Sequence, residues 1–130
     1  MPRLMPSVFT RQVVNPLVSR LRTGGVVTLT VTGRSSGQPH RVPVIPVTIG
    51  DGRYLVSPYG ETDWVRNLRA AGQGQLRGRG TVEREFHASE VPVPERATVI
   101  GAYRKIAGRA VDPCFAALPD PADHPVFRIE

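Results

Sequence analysis

The chain has 130 residues, of which 40% are hydrophobic, and this length and composition fit one globular domain with a modest core. Its apolar runs are all shorter than the ~18 residues that a bilayer span requires, which argues against a membrane-spanning helix. The one cysteine, Cys114, excludes an internal disulfide and is typical of a reducing cytoplasm, where we expect the protein to be located.

The N-terminal part of the chain predicts an amphipathic helix. Apolar residues recur at roughly helical spacing over Val8–Leu21, although Pro16 interrupts the pattern. Gly24 and Gly25 end this helix, so we divide the chain into an N-terminal helical segment, residues 1–24, and a β-rich domain, residues 25–130. Because the amphipathic pattern is weak, we expect this segment to give at most weak association with a membrane surface.

The next part of the chain predicts three strands. Val26–Thr32 alternates apolar residues with threonines, which indicates a half-buried strand. Val42–Ile49 is rich in β-branched residues, but its two prolines favour a bulge or the edge of a sheet. Asp51-Gly52 is typical of a hairpin turn, after which Arg53–Ser57 is predicted to return as the third strand.

The second half of the chain mixes helices with strands. A short helix is predicted over Thr62–Ala71, with Thr62 as its N-cap and Gly72 as its end. The remaining predicted elements are a hairpin, a helix, a loop-rich tail and a last strand: Gln75–Arg79 with Thr81–Val93, Pro94–Ala107, Val111–Pro125 and Val126–Ile129. This order predicts an α+β fold, a mainly antiparallel small β-barrel with a few packing helices.

The loop Gly33–Arg41 is the first candidate binding site. Its glycines, serines and proline are ordinary turn residues, so a solvated hairpin loop explains its composition without any function. Arginines near both ends, Arg34 and Arg41, combine with small hydroxyls and backbone N–H groups into a set that suits an anion such as a phosphate. Composition alone leaves both interpretations open.

The stretch Ser57–Leu68 is the second candidate. Trp64 and Leu68 share the inward stripe of the predicted helix, and a tryptophan in that position is more often core than a platform for a cofactor. Asn67 lies at the margin of the stripe, where its amide needs a partner from nearby backbone or from a ring edge in a pocket. Tyr59, in a loop with proline and glycine, is expected to be exposed and available.

No motif for self-sufficient catalysis is present. The three histidines are far apart at no metal-ligand spacing, and the chain lacks a nucleophile elbow, a Walker loop and a Rossmann fingerprint. No metal site is therefore predicted, and an enzymatic reaction would depend on a bound organic cofactor.

Together and in this order, the two stretches resemble the deazaflavin-dependent nitroreductase family, actinobacterial proteins of the split β-barrel, flavin-reductase-like class. The residues that carry the resemblance are Gly33–Val44, Ser57–Gly60 and Trp64–Ala70. The resemblance implies that residues 25–130 form a split β-barrel cofactor-binding domain. It also implies that the cofactor is coenzyme F-420, an 8-hydroxy-5-deazaflavin that carries a hydride, a phosphate and an acidic tail.

The resemblance assigns roles to individual residues. The phosphate and the acidic tail would be bound by Arg34, Ser35, Ser36, Gln38, His40 and Arg41. The ring would contact the next strand and the loop after the third strand, with three helix residues completing the pocket: Val42, Pro43, Val44, Val56, Ser57, Pro58, Tyr59, Trp64, Arg66 and Asn67. Ser57, Tyr59 and Tyr103 are the candidate proton donors. Because the family often has lysine at Ser35 and arginine at His40, anion binding is expected to depend mainly on Arg34, Arg41 and backbone N–H groups.

The sequence therefore predicts a deazaflavin-dependent oxidoreductase that acts on an electron-poor small molecule: a quinone, an enone or a nitro compound. Alternatives are an FMN- or haem-binding split barrel and a non-catalytic cofactor-binding protein. A basic nucleic-acid-binding barrel fits the net charge of +6, but aromatic residues make up only 6% of the chain and form no stacking cluster, so no nucleic acid is expected. The protein is expected to be a monomer or a homodimer.

Overall fold

Seven strands form one antiparallel sheet in the part of the chain that the computed structural model describes, residues 25–78 and 84–130. In chain order they are β1 (Val27–Thr32), β2 (Pro39–Val44), β3 (Val47–Ile49), β4 (Gly52–Val56), β5 (Gln73–Arg77), β6 (Arg84–Glu90) and β7 (Val126–Ile129). Their order across the sheet is β2-β1-β5-β6-β7-β4-β3. Only Ile45 and Pro46 separate the two edge strands, β2 and β3, along the chain. Two residues span about 10 Å at most, so the sheet must curl until its edges nearly meet.

Three helices pack on the curled sheet within the described residues. They are α1 (Asp63–Ala71), α2 (Arg96–Ala107) and α3 (Asp112–Ala117), with short 3-10 turns at Val93–Glu95, Gly108–Val111 and Pro121–Asp123. Gly72 ends α1 as predicted: it takes φ +72°, where a side chain is strained, and its N–H donates to Leu68 O at 2.8 Å. Thr62 occupies the N-cap position with extended backbone, but its side chain makes no capping hydrogen bond.

The helices cover two separate hydrophobic clusters. The first cluster includes residues of α1 and of the strands beneath it, among them Leu29, Val31, Leu55, Trp64, Leu68, Phe86 and Phe127. The second includes residues of α2 and α3 with those of the edge strand and its neighbours, among them Ile45, Val47, Val56, Tyr59, Tyr103, Phe115 and Val126. This is the α+β split β-barrel that the sequence predicted, with α1 packed on the first hairpin.

Most predicted elements are confirmed, and two are wrong in detail. The proline-containing strand does divide into β2 and β3 at the edges of the sheet. The first loop is shorter than predicted, because Pro39–Arg41 already pair with β1. The tail is not mainly loop, because it contains α3. Pro113 suits the first turn of this helix, and the burial of Cys114 and Phe115 stabilises the helix. The predicted helix Val8–Leu21 lies outside the described residues.

Candidate functional site

The pairing of β1 with β2 divides the predicted ligands between two faces of the sheet. Directly paired residues share a face, and successive residues alternate. His40 pairs with Val31, which is buried in the first cluster, so His40 lies on the inner face. Arg41 pairs with Thr30 and therefore projects from the outer face. The same alternation puts Val42 and Val44 inside, and Pro43 outside. His40 and Arg41 therefore project from opposite faces of this strand, although the sequence analysis assigned both to the phosphate and the acidic tail.

The loop between these strands is held by its own hydrogen bonds. The Gly33 N–H donates to Gln38 O at 2.7 Å, and the Gly37 N–H donates to Gly33 O at 2.9 Å. Ser36 Oγ accepts from the Gln38 N–H at 3.1 Å and lies 3.4 Å from His40 Nε2. A Cβ at Gly33 would lie only 2.6 Å from His40 Nε2, so a larger residue there would force the imidazole to move. These contacts preorganise the hydroxyl and the imidazole next to each other.

Arg34 joins this loop to helix α1. Asn67 Oδ1 accepts two hydrogen bonds, from the Arg34 N–H at 3.1 Å and from Arg34 Nη1 at 2.7 Å. Asn67 is only 4% exposed, so both of its contacts are shielded from water. Arg34 Nη2 also lies 3.6 Å from Asp63 Oδ1. Arg34, in the loop Gly33–Arg41, is thus the partner that the Asn67 amide needed. This contact between Arg34 and Asn67 brings the two candidate stretches into one site.

A cleft of about 240 Å³ opens where loop and helix meet. Its walls are Gly33, Arg34, Ser35, Ser36, His40, Asp63 and Asn67. Five of the predicted cofactor ligands are among them, whereas Gln38 and Arg41 are not. Hydroxyls, an imidazole and a guanidinium are suitable donors for a phosphate or a carboxylate. Asp63, which the sequence reasoning missed as part of the site, reduces the positive charge that Arg34 brings.

The predicted proton donors are enclosed. Ser57 has no exposed surface, and its hydroxyl donates to Gly60 O at 2.6 Å, so its one hydroxyl proton is already used within the loop. Tyr59 is 7% exposed, which corrects the expectation that it would be available at the surface. Tyr103 lies in the same second cluster, and burial raises the pKa of both phenols. Both phenols are therefore neutral at physiological pH and are weaker acids than an exposed tyrosine.

The remaining predicted residues lie around α1 and β4. Trp64 belongs to the core: it is 9% exposed and its ring centroid lies 6.2 Å from that of Phe127, so it follows the core interpretation of a helix-stripe tryptophan. Val56 and Pro58 are also buried, and Arg66 is half-buried. These residues would contact a bound cofactor ring through the wall that they form and through their backbone atoms.

An ion-pair network holds α1 from its outer side. The Arg69 guanidinium pairs with Glu61 at 2.9 Å and with Glu90 at 2.8 Å. These bonds raise the pKa of Arg69, and the bond from Arg69 lowers the pKa of Glu61. Arg96, almost fully buried, donates to Glu90 at 3.3 Å and to Val91 O at 2.9 Å. Wide separation along the chain hid this network from the sequence reasoning, and no motif signals it.

The strands and helices form a split β-barrel, and solved structures show the same fold. Similar structures include one described as a domain-swapped dimer (20% identity, TM-score 0.61, covering 96% of this chain and 99% of that one). Another, the F420H2-dependent reductase FDR-A, has 22% identity and a TM-score of 0.60, and the match covers 82% of this chain and 94% of that one. A third, HutZ, the haem storage protein from Vibrio cholerae, has 15% identity and a TM-score of 0.62, and the match covers 98% of this chain and 89% of that one. At these identities the likeness shows the fold alone.

The family follows from the sequence itself. Residues 3–110 match the model of the F420H2-dependent quinone reductase family, so the chain belongs to that family and is a deazaflavin-dependent oxidoreductase. No curated protein shows significant sequence similarity to it. Among the described residues, no helix has the length and apolar character needed to cross a bilayer.

Proposed function

We propose that this protein uses reduced coenzyme F-420 to reduce an electron-poor small molecule, a quinone, an enone or a nitro compound. The observation that carries the proposal is the joint between Arg34 and Asn67, because it brings both family-like stretches into one cleft. When bound, the coenzyme supplies a hydride from its deazaflavin ring, a step for which the protein needs mainly to fix distance and angle.

The donor set of the cleft fits the anionic end of this coenzyme. Ser35 and Ser36 offer hydroxyls, His40 offers an imidazole on the inner face, and Arg34 keeps guanidinium N–H groups beside those that face Asn67. Held in place by the loop's own bonds, these groups lose little conformational freedom on binding. Gln38 and Arg41 lie outside the cleft walls. They would contact the acidic tail of the coenzyme only where that tail extends past the loop.

The ring would lie against the walls that the barrel provides beyond the cleft. We propose that the inner face of β2, at Val42 and Val44, forms one wall, with Pro43 contributing backbone. The loop from Val56 to Tyr59 forms another, and Trp64, Arg66 and Asn67 complete the pocket from α1. Of the proposed proton donors, Tyr59 and Tyr103 are neutral phenols, whereas the Ser57 hydroxyl already donates to Gly60 O.

A pair of neighbouring substitutions tests the location of the anionic end. The family resemblance implied that anion binding depends mainly on Arg34, Arg41 and backbone N–H groups. The strand pairing instead favours His40, which lines the cleft, over Arg41. His40→Glu puts a carboxylate beside the bound anion and should weaken binding at least about tenfold, measured by calorimetry, with an unchanged melting temperature. Arg41→Glu changes the net charge by more, yet should weaken binding less. The reverse order would place the anion on the outer face.

An activity measurement tests the reaction. Oxidation of chemically reduced F-420 should be catalysed in the presence of a quinone, a cyclic enone or a nitroarene, and reduced FMN should not replace the coenzyme. Because HutZ shares the fold, FMN and haem are titrated in parallel. Micromolar binding of FMN or haem without a response to F-420 would overturn the proposal in favour of those alternatives. F-420 binding without turnover of any acceptor would indicate a cofactor-binding protein.

We further propose that residues 25–130 are the cofactor-binding domain and residues 1–24 an appended segment with at most weak membrane affinity. We also propose that the protein works in the cytoplasm, as a monomer or homodimer. A similar structure described as a domain-swapped dimer supports the dimer. Light scattering with the full chain tests the oligomeric state. Vesicle sedimentation with the full chain tests the membrane affinity.

A further inference from the structure

The loop Ser57–Gly60 is bound to the C-terminal tail through Ser57. The Ser57 N–H donates to Pro125 O at 3.0 Å, and His124 Nδ1 lies 3.0 Å from Ser57 O. The other ring nitrogen of His124 lies against Leu118 O. His124 has no exposed surface, so bulk water does not compete for these contacts. One imidazole thus connects the loop to two points of the tail.

The two contacts of His124 are complete only when its ring is protonated. Both ring nitrogens face backbone carbonyl oxygens, which accept hydrogen bonds and cannot donate them. A neutral imidazole has one N–H, so it serves one carbonyl and turns a lone pair toward the other. An imidazolium has two N–H groups and donates to both. The proton on this ring therefore decides whether the loop or the tail loses a contact.

The surroundings of His124 supply no acidic partner. Phe115 stacks on its ring with centroids 4.3 Å apart, and the Arg104 guanidinium lies 4.7 Å from the Phe115 centroid. Arg96 donates to Ala122 O on the tail at 3.3 Å. In residues 25–78 and 84–130, no carboxylate forms an ion pair with His124. The other nearby titratable groups, in the second cluster or next in the chain, are Tyr59, Tyr103, Cys114 and Asp123.

We propose that His124 is a positioning residue for hydride transfer, which holds the loop carrying Pro58 and Tyr59 at a fixed distance from the cofactor ring. This inference rests on the proposed function, in which that loop lies beside the ring. The loop is already in close contact with the tail, because a Cβ at Gly60 would lie 3.2 Å from Leu118 Cδ1 and 3.3 Å from Asp123 O. The imidazole contact to Ser57 O adds to this packing and fixes the backbone at the start of the loop.

Two substitutions separate positioning from packing. The amide nitrogen of His124→Asn falls near Nδ1 and can still donate to Ser57 O, whereas that of His124→Gln falls near Nε2 and can donate only to Leu118 O. We expect His124→Gln to speed amide hydrogen exchange at Ser57, Tyr59 and Gly60 and to weaken F-420 binding, each about tenfold. His124→Asn, although smaller, should change both by less than about threefold. Equal effects of the two variants, or faster exchange with unchanged affinity, would overturn the inference.

The His124→Asn variant keeps the inference testable if His124→Gln does not fold. In His124→Asn, exchange at Ser57, Tyr59 and Gly60, divided by that of strand β1, should stay within about threefold of the wild-type ratio. A tenfold rise of this ratio in His124→Asn overturns the inference. A wild-type protein that binds no F-420 refutes the proposed function and the inference with it, a result seen before any variant is compared.

Discussion

Asn67 should stabilise the protein by more than a half-exposed amide would, because its buried Oδ1 accepts both hydrogen bonds that join Arg34 of the first loop to α1. Asn67→Ala removes one acceptor from two hydrogen bonds, one to the Arg34 N–H and one to its guanidinium. A neutral hydrogen bond contributes about 0.5–1.5 kcal/mol and one to a charged group about 1.5–3 kcal/mol. We therefore expect a loss of about 2–4 kcal/mol in the free energy of unfolding, or roughly 10 °C in melting temperature.

Urea unfolding followed by the fluorescence of Trp64 measures this loss, since the single tryptophan is buried in the cluster under α1. Asn67→Asp is the matched control: it keeps an oxygen at the same position and should cost less than about 1 kcal/mol. A double-mutant cycle with Arg34→Ala should give a coupling energy of about 1–2 kcal/mol. If the alanine and aspartate variants are equally unstable, or if the cycle shows no coupling, the joint contributes nothing and the reasoning fails.

Three further predictions concern the framework. Gly74→Ala should lower the melting temperature, because its Cβ would lie 3.1 Å from Thr30 O, whereas Gly101→Ala, with open space on α2, should raise stability by up to about 1 kcal/mol. The hydrogen bond from Arg69 lowers the pKa of Glu61 below its usual 4.5. The ionised Glu61 therefore stabilises the folded protein above pH 4.5, and this stabilisation is lost as the pH falls and the carboxylate is protonated. Glu61→Gln should flatten the acid limb of a curve of unfolding free energy against pH. Burial raises the pKa of Cys114 from 9.0 to about 11, so stability should fall as pH rises from 9 toward 11, and Cys114→Ala should remove that part of the fall.

The sequence could predict what depends on local patterns. Alternation and turn residues predicted β1, the hairpin before β4 and the last strand, and glycine predicted the end of α1. The tail was missed because α3 has only six residues and is stabilised by burying Cys114 and Phe115 rather than by a helical pattern in the sequence. Tyr59 was expected at the surface because proline and glycine flank it, yet tertiary packing buried it.

The site shows the same division between local and long-range information. The resemblance to a known family predicted that Arg34 and Asn67 belong to one site, although they are 33 positions apart. The face on which each strand residue lies was not predicted for β2, because the prolines conceal its alternation. The register of β2 with β1 decides the face on which each residue lies, and it puts Arg41 and His40 on opposite faces. Likewise, His124 carried no signal in the sequence, since its partners are backbone carbonyls and those have no side-chain pattern.

The pairing of Arg34 with Asp63 implies that the cleft selects its ligand by geometry more than by charge. The two opposite charges lie 3.6 Å apart, and the other walls of the cleft are glycine, serine, histidine and asparagine. F-420 affinity should therefore fall only modestly between about 50 and 200 mM salt, in contrast to a basic patch that binds a polyanion. Asp63→Asn removes the negative charge beside the guanidinium, and we expect tighter binding with a steeper salt dependence. Asp51→Asn, with the same charge change on the fully exposed β3–β4 turn, is the control. If the two variants behave alike, only net charge matters and the cleft is not where the anion binds.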